Sequence, residues 1–483
     1  MNMSLKQEAI KGFFWIATSK ALQQGIAWFF SIAVARLLFP SDYGLMALAN
    51  IYIYFIMYFN ELSLGSAIIQ RKEINEAYLS SAFWSCIFGS ILIYIFSFFI
   101  SGFLATFFEQ KELESIIKAL GVSLIIMGFG IVPSSLIARV LKFRKRAEAN
   151  FLAETSMGVS SLILAYMGFG VWSLVYGAII RSIVYCLLMY QFSHWRPKLV
   201  FSWELTWDLM KFGIPLTGSK ILHTLYSNAD NLIIGKVLGD RLLGFYYMAY
   251  RLSNMPVIRL TRIIDEVNFP VMSKMQDGER KIDVYFLQTT KYISILVLPI
   301  LVGIFLVSYD FVAIFLSNKW LPIVLPLKMF CLIGIFRAIN TTMQPLLLAK
   351  GRVDINFRYS LLSALVVIGA VSVGVNFGLL GAVVGILIVH PILTAYLLKY
   401  GLQGIGISSL DYLRTFLPSL KAVCVLALVV VFFKALITNP LLRFSGSVSL
   451  GMAAYAGYFW LVEKEVISDI KSGLFAARTK EIG

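Results

Sequence analysis

Apolar stretches long enough to cross a lipid bilayer recur along the whole chain, and few folds tolerate that pattern. A helix needs about 20 mostly apolar residues to traverse the hydrocarbon layer. Blocks of that kind lie near residues 12–37, 43–67, 78–103, 115–137, 149–169, 171–193, 209–236, 242–266, 286–308, 323–347, 358–377, 380–400, 412–436 and 444–462. They predict an all-α membrane protein with about 14 transmembrane helices. Composition agrees: 59% of residues are hydrophobic and 14% charged, against about 25% charged in soluble domains. A soluble chain could not hide so much apolar surface. The first block lacks a short apolar core with a small-residue cleavage site, so it is expected to act as its own insertion signal.

The net charge of +16 would suggest nucleic acid in a soluble protein. In a membrane protein it follows from the accumulation of Lys and Arg in cytoplasmic loops. Alternate connections divide unevenly. One set holds Arg71 and Lys72, the RVLKFRKR run 139–146, Arg196, Lys198, Lys274, Arg280, Lys281, Lys350, Arg352 and the tail from Lys464. The other holds only Arg36, Lys111, Lys236, Arg241, Lys319 and Arg443. The richer set is expected to be cytoplasmic, with both termini on that side. No connection is long enough for a separate soluble domain. RVLKFRKRAEAN (139–150) is expected to lie along the cytoplasmic leaflet, against anionic headgroups.

Residues 18–49 and 218–249 align without gaps at an offset of 200, with Ser19/Ser219, Lys20/Lys220, Leu22/Leu222, Leu38/Leu238, Gly44/Gly244 and Ala49/Ala249 identical. Six spans separate the copies, so both halves have the same orientation, as in a parallel transporter repeat. The expected organisation is a six-helix bundle over 1–200, a pseudo-symmetric one over 201–403, and two additional helices with a tail over 404–483.

An ionisable group inside a span costs about 2.5–3.5 kcal/mol on insertion scales, which makes each a functional candidate. Lys20 and Lys220 occupy equivalent repeat positions and would suit an anionic substrate if they face one cavity; pairing with a neighbouring acid or snorkelling to the interface would explain them equally. Arg251, Arg259 and Arg262 fall on one face of the eighth span, either as a headgroup-attracting entrance or as ion-pair partners, and Arg181 is a further cation candidate. Asp230, Glu61 and Glu154 could carry a coupling H+ or Na+, or neutralise a basic neighbour. Arg337 is a lesser candidate. Pro133, Pro215, Pro299, Pro345 and Pro391 interrupt apolar spans and can kink them.

No GxxxxGK[ST] or DxD motif occurs, and His194, His223 and His390 lack zinc spacing. No catalytic residue, metal or cofactor is expected. Cys86, Cys186, Cys331 and Cys424 sit in separate apolar runs and are expected to be buried small hydrophobes.

Five stretches then carry a family resemblance: ARLLFPSDYGLMALA (35–49), ELSLGSAIIQRKE (61–73), FRKRAEANFLAE (143–154), KFGIPLTGSKILHTLYSNADNLIIGKVLGDRLLGFYYMAYRLSNMP (211–256) and VNFPVMSKMQDGERK (267–281). The chain resembles the Wzx-type polysaccharide flippases, in the branch that includes the colanic acid exporter. They belong to the multidrug/oligosaccharidyl-lipid/polysaccharide superfamily. The resemblance thins after residue 400. It implies a multi-pass protein of the bacterial inner membrane that moves an undecaprenyl-pyrophosphate-linked repeat unit to the outer leaflet by alternating access. It implies two six-helix bundles around a central cavity, and that cavity is cationic. The implied partners are that lipid-linked oligosaccharide and membrane lipids, with a polysaccharide polymerase and a chain-length regulator as further candidates and no nucleic acid. A lipid-linked peptidoglycan precursor flippase and a small-molecule antiporter of the multidrug and toxic compound extrusion type are alternative readings.

Overall fold

The computed structural model describes residues 23–61, 64–71, 73–211, 217, 224, 227–274, 279–403 and 406–464. Every regular element among the described residues is helical. They fall into two compact units, Met1–Gly244 and Phe245–Gly483.

The first unit contains α1 (23–37), α2 (Pro40–Glu61), α3 (Leu64–Gln70), α4 (Glu76–Phe107), α5 (Lys111–Arg139), α6 (Phe143–Tyr166), α7 (Val171–Ser193) and α8 (203–211). Helix α5 is the hub, packing on α2, α3, α4, α6 and α7. Side chains start α4 cleanly: Asn75 caps it, accepting from the Tyr78 backbone N–H at 3.0 Å, one of the donors a helix start leaves unpaired. Inside α4, Ser85, Ser90 and Ser97 each donate to the carbonyl one turn back. That satisfies a hydroxyl in an environment without water. Small residues then let helices approach. A methyl added at Gly128 would clash with Ser90, and one at Gly177 with Ser161. Close small-residue packing drives association where lipid is as apolar as the side chains.

Helix α9 (Ala229–Lys274) starts in this unit and runs into the next. It breaks at Gly239, whose φ of 80° lies where only glycine is at ease. The break falls in the polar gap expected between the seventh and eighth spans.

The second unit continues with α10 (Glu279–Phe311), α11 (Val324–Ala349), α12 (Val353–Gly374), α13 (Gly378–Gly401), α14 (Ser409–Arg414), α15 (Leu417–Leu436) and α16 (Pro440–Leu461). Here α10 is the hub for α11, α15 and α16. Asn439 caps α16 with Pro440 following it, the position where a missing N–H costs nothing.

Seven described helical segments are long and apolar enough to span a bilayer. Their outward surfaces carry large apolar side chains, including Phe99, Phe103, Leu428 and Phe432. Contiguous apolar exterior of this extent is the surface of a membrane protein. Pro133, Pro299, Pro345 and Pro391 lie inside helices as expected; Pro215 lies outside the described residues.

Two expectations need correction. Cys86, Cys186 and Cys331 are buried, but Cys424 is exposed, because it faces outward from α15, where lipid serves a thiol as well as a core does. The basic run 139–150 is not one strip. Arg139 closes α5, and Arg144–Asn150 form the first turns of α6. Arg144 pairs with Glu148 one turn on at 3.0 Å, and these straight-chain residues favour helix.

Candidate functional site

The ends of the first unit differ in chemistry. At one end Arg139 donates to the Ile68 and Arg71 carbonyls, Arg71 pairs with Asp208, and the Tyr78 hydroxyl donates to Asp208 at 3.3 Å. Trp195 donates to Glu76 at 3.2 Å. This end gathers the connections expected to be cytoplasmic. At the other, Lys236 pairs with Glu109 at 2.8 Å and Gln110 donates to Asp240 at 3.3 Å. The hydrogen bond from the Lys236 ammonium, and then its charge, hold the Glu109 carboxyl below its ordinary value.

The repeat meets itself at that second end. A methyl at Gly44 would clash with the Asp240 carbonyl, and one at Gly244 with the Pro40 carbonyl. Positions 40 and 240, and 44 and 244, are repeat equivalents. The contact is therefore reciprocal. Glycine is needed at both because backbone, which cannot rotate away, lies opposite.

Several sequence candidates can be placed. Lys20 and Lys220 lie outside the described residues. Glu61 ends α2, and Arg259 and Arg262 lie within α9; their side chains lie outside the described residues. Arg181 on α7 and Glu154 on α6 are brought together at 2.7 Å, with side chains 34% and 50% exposed. An anion-site candidate and an ion-coupling candidate are thus one neutral pair. Asp230 stands in the first turn of α9, accepting from the Asn231 backbone N–H at 2.8 Å and its side-chain amide at 3.2 Å. A carboxylate there also meets the positive end of the helix dipole. Arg251 is half-buried in the second unit.

In the same unit, Arg337 is the centre of a polar cluster. Its guanidinium lies 5.1 Å from the Tyr250 ring centroid and donates to His390 Nε2 at 3.2 Å. His390 Nδ1 is 2.9 Å from the Ile386 carbonyl, so that nitrogen carries the hydrogen and Nε2 is free to accept. Asn340 donates to the Tyr359 hydroxyl at 3.0 Å.

Asp310 had no counterpart among the sequence candidates. Its carboxylate, 0% exposed, sits between Lys434 at 2.8 Å and Arg443, which reaches it through Nε at 2.9 Å and through Nη2. The triad pins α15 and α16 to α10. Among the described residues no group of three or more His, Cys, Asp and Glu could hold a metal.

Comparison with known proteins now decides the family. The sequence profile described as polysaccharide biosynthesis protein matches residues 33–325. The chain belongs to the polysaccharide biosynthesis protein family. Among its relatives is the lipopolysaccharide biosynthesis protein WzxC of Escherichia coli (strain K12), 28% identical over 81% of this chain and 80% of that one. The succinoglycan biosynthesis transport protein ExoT of Rhizobium meliloti (strain 1021) is 24% identical over 94% and 93%. In fold, the chain is similar to the lipid II flippase MurJ in an inward closed conformation, with a TM-score of 0.75 at 16% identity over 94% of this chain and 100% of that one. It is also similar to an inward-facing multidrug resistance MATE transporter of the MOP superfamily, with a TM-score of 0.58 at 14% identity, covering 82% and 94%. The polysaccharide biosynthesis family match takes in Glu61, Glu154, Arg181, Lys220, Asp230, Arg251, Arg259 and Arg262. It stops short of Arg337, Lys434 and Arg443. This family member is a multi-pass membrane protein with a MurJ- and MATE-like helical fold.

Proposed function

We propose that the protein is a flippase that carries an undecaprenyl-pyrophosphate-linked polysaccharide repeat unit from the cytoplasmic to the outer leaflet of a bacterial inner membrane by alternating access. The observation that carries this reading is the family match over residues 33–325, joined to a MurJ-like fold along 94% of the chain. The names of WzxC and ExoT, both tied to polysaccharide export or synthesis, support it. In this reading about 14 helices form two six-helix bundles and an added pair, with both termini cytoplasmic.

An anionic pyrophosphate needs cations that are not already neutralised. Lys20, Lys220, Arg251, Arg259 and Arg262 are proposed as those cations. Arg181 serves the cargo only when Glu154 releases it. That exchange would give Glu154 a part in proton or sodium coupling beside Asp230 and Glu61. The reciprocal backbone contact at Gly44 and Gly244 is proposed as the outward closure. It must part before the cargo reaches the outer leaflet.

The test is a deletion of the gene in its host, with wild-type, Lys20→Ala and Lys220→Ala copies returned. Surface polysaccharide should disappear in the deletion, with lipid-linked repeat units accumulating inside, and only the wild-type copy should restore it. Restoration by both lysine variants removes these two lysines from the site. Intact polysaccharide with altered tolerance to cationic drugs overturns the flippase reading in favour of an antiporter.

A further inference from the structure

A cavity of about 430 Å³ lies inside the first unit, walled by α2, α3, α5, α6 and α7. That volume suits a headgroup; small-molecule sites begin near roughly 300 Å³. Its wall is chemically one-sided. Ser66, Ser134, Ser135, Ser182 and Tyr185 contribute hydroxyls; among the described residues Arg146 contributes the one cation and no carboxylate lines it. The remaining wall is apolar apart from Cys186.

The hydroxyls are not equivalent. Ser135 donates to the Ile131 carbonyl at 2.8 Å and Ser182 to the Ala178 carbonyl at 3.1 Å. Each has committed its hydrogen to its own helix and keeps only acceptor lone pairs. Both are buried, 6% exposed. Ser134 and Tyr185 share one hydrogen bond at 3.0 Å, so one hydrogen of that pair remains to donate. The interior therefore favours a ligand with hydroxyl donors. Arg146, in the first turn of α6, is exposed and makes no ion pair among the described residues. Its neighbour Arg144 is committed to Glu148. The mouth is thus cationic and the interior hydroxyl-accepting. Ala138 lines the cavity beside Arg139, which belongs to the end where the expected cytoplasmic connections gather.

We propose that this cavity is a binding site for the polyol-phosphate headgroup of an inner-leaflet lipid, with Arg146 on the phosphate and the Ser135 and Ser182 oxygens accepting from its hydroxyls. A glycerol-phosphate lipid and the phosphate-linked sugar of a polyprenyl lipid share this chemistry. The glycerol-phosphate source does not depend on the flippase reading; the sugar-lipid source rests on it.

The test is native mass spectrometry of the purified full-length protein with three probes. These are short-chain phosphatidylglycerol, short-chain phosphatidylethanolamine and a short polyprenyl diphosphate bearing one sugar. Wild type should retain at least one of the hydroxylated lipids over phosphatidylethanolamine. Retention of phosphatidylglycerol assigns the site to bulk lipid; retention of the sugar lipid alone assigns it to the cargo. Arg146→Gln should lower retention about tenfold, the value of one charge-assisted contact, while Arg144→Gln leaves it unchanged. Ser135→Ala with Ser182→Ala, which removes oxygens without adding bulk, should erase the preference over phosphatidylethanolamine. Equal retention of all three probes, or equal losses in the two arginine variants, overturns the proposal, leaving a hydrated cavity beneath a basic surface. If Arg146→Gln no longer holds lipid yet restores surface polysaccharide, the binding site stands and the transport reading is intact.

Discussion

Replacing Asp310 by alanine should loosen α15 and α16 from the rest of the second unit while leaving the first unit untouched. The carboxylate is fully buried and contacts two cations whose side chains are 23% and 24% exposed. Removing one partner of a buried ion pair costs about 3–5 kcal/mol, most of it from the charge left behind. Here two charges remain, but each can lengthen toward water along its own stem, so the low end, about 3 kcal/mol, is expected. Arg443→Ala removes less. Asp310 keeps Lys434, the remaining pair is neutral, and about 1–2 kcal/mol of charge-assisted hydrogen bonding is lost. Asp310→Ala should therefore be the worse variant, and the double variant should be milder than the sum, with a coupling of about 0.5–3 kcal/mol. Hydrogen exchange measured helix by helix reads this directly, since local opening has its own free energy. A loss of about 3 kcal/mol is more than a hundredfold in exchange rate. It should appear in Leu417–Leu436 and Pro440–Leu461 and be absent from Lys111–Arg139. Unchanged protection in α15 and α16, or a uniform loss in every helix, would refute the clamp.

Three further outcomes are expected. Gly44→Ala and Gly244→Ala each drive a methyl into a backbone carbonyl and should cost about 1–3 kcal/mol or more; the outward end should open, read as faster labelling of a cysteine placed at buried Leu48 in a background with the native cysteines replaced. Arg181→Ala should shift stability by about 0–1 kcal/mol, since the pair is half-exposed, yet reduce polysaccharide export. An Arg181→Glu, Glu154→Arg exchange that restores stability and export together would make the pair merely structural. Because Lys236 lowers the Glu109 carboxyl below its ordinary 4.5, its contribution is present above that value and is lost as pH falls through the lowered one. Exchange in the 108–113 turn should rise over that acid window in wild type and not in Glu109→Gln.

The membrane class was legible because apolar block length is set by bilayer thickness, and the four described prolines fall within helices because neighbouring turns can absorb a kink. Gly44 and Gly244, matched at the sequence offset of 200, each lie against backbone of the other segment. Reading polarity as the end of a span failed at α6, where Arg144, Arg146 and Glu148 continue a helix beyond the apolar block. Asp310 was invisible for a related reason. A lone carboxylate near a span end looks like an interfacial charge, and Arg443 is 133 residues away. Arg181 and Glu154 were both visible as candidates, but no periodicity states that residues 27 positions apart form a pair.

In the proposed flippase, compensation would separate cargo charges from structural ones. The Arg181–Glu154 pair is neutral, and the Asp310 triad, though it carries one excess positive charge, has both cations directed at one carboxylate. The described contacts of Arg337 are of another kind, an imidazole acceptor and a ring face, which orient a guanidinium. A pyrophosphate moving through a membrane has to find cations free to meet it, since every cation already matched to an acid must first give up a partner costing several kcal/mol to leave alone. The same reasoning places Arg146 apart from Arg144: adjacent in one helical turn and alike in charge, only one is held by an acid among the described residues, and that one is not the arginine at the cavity mouth.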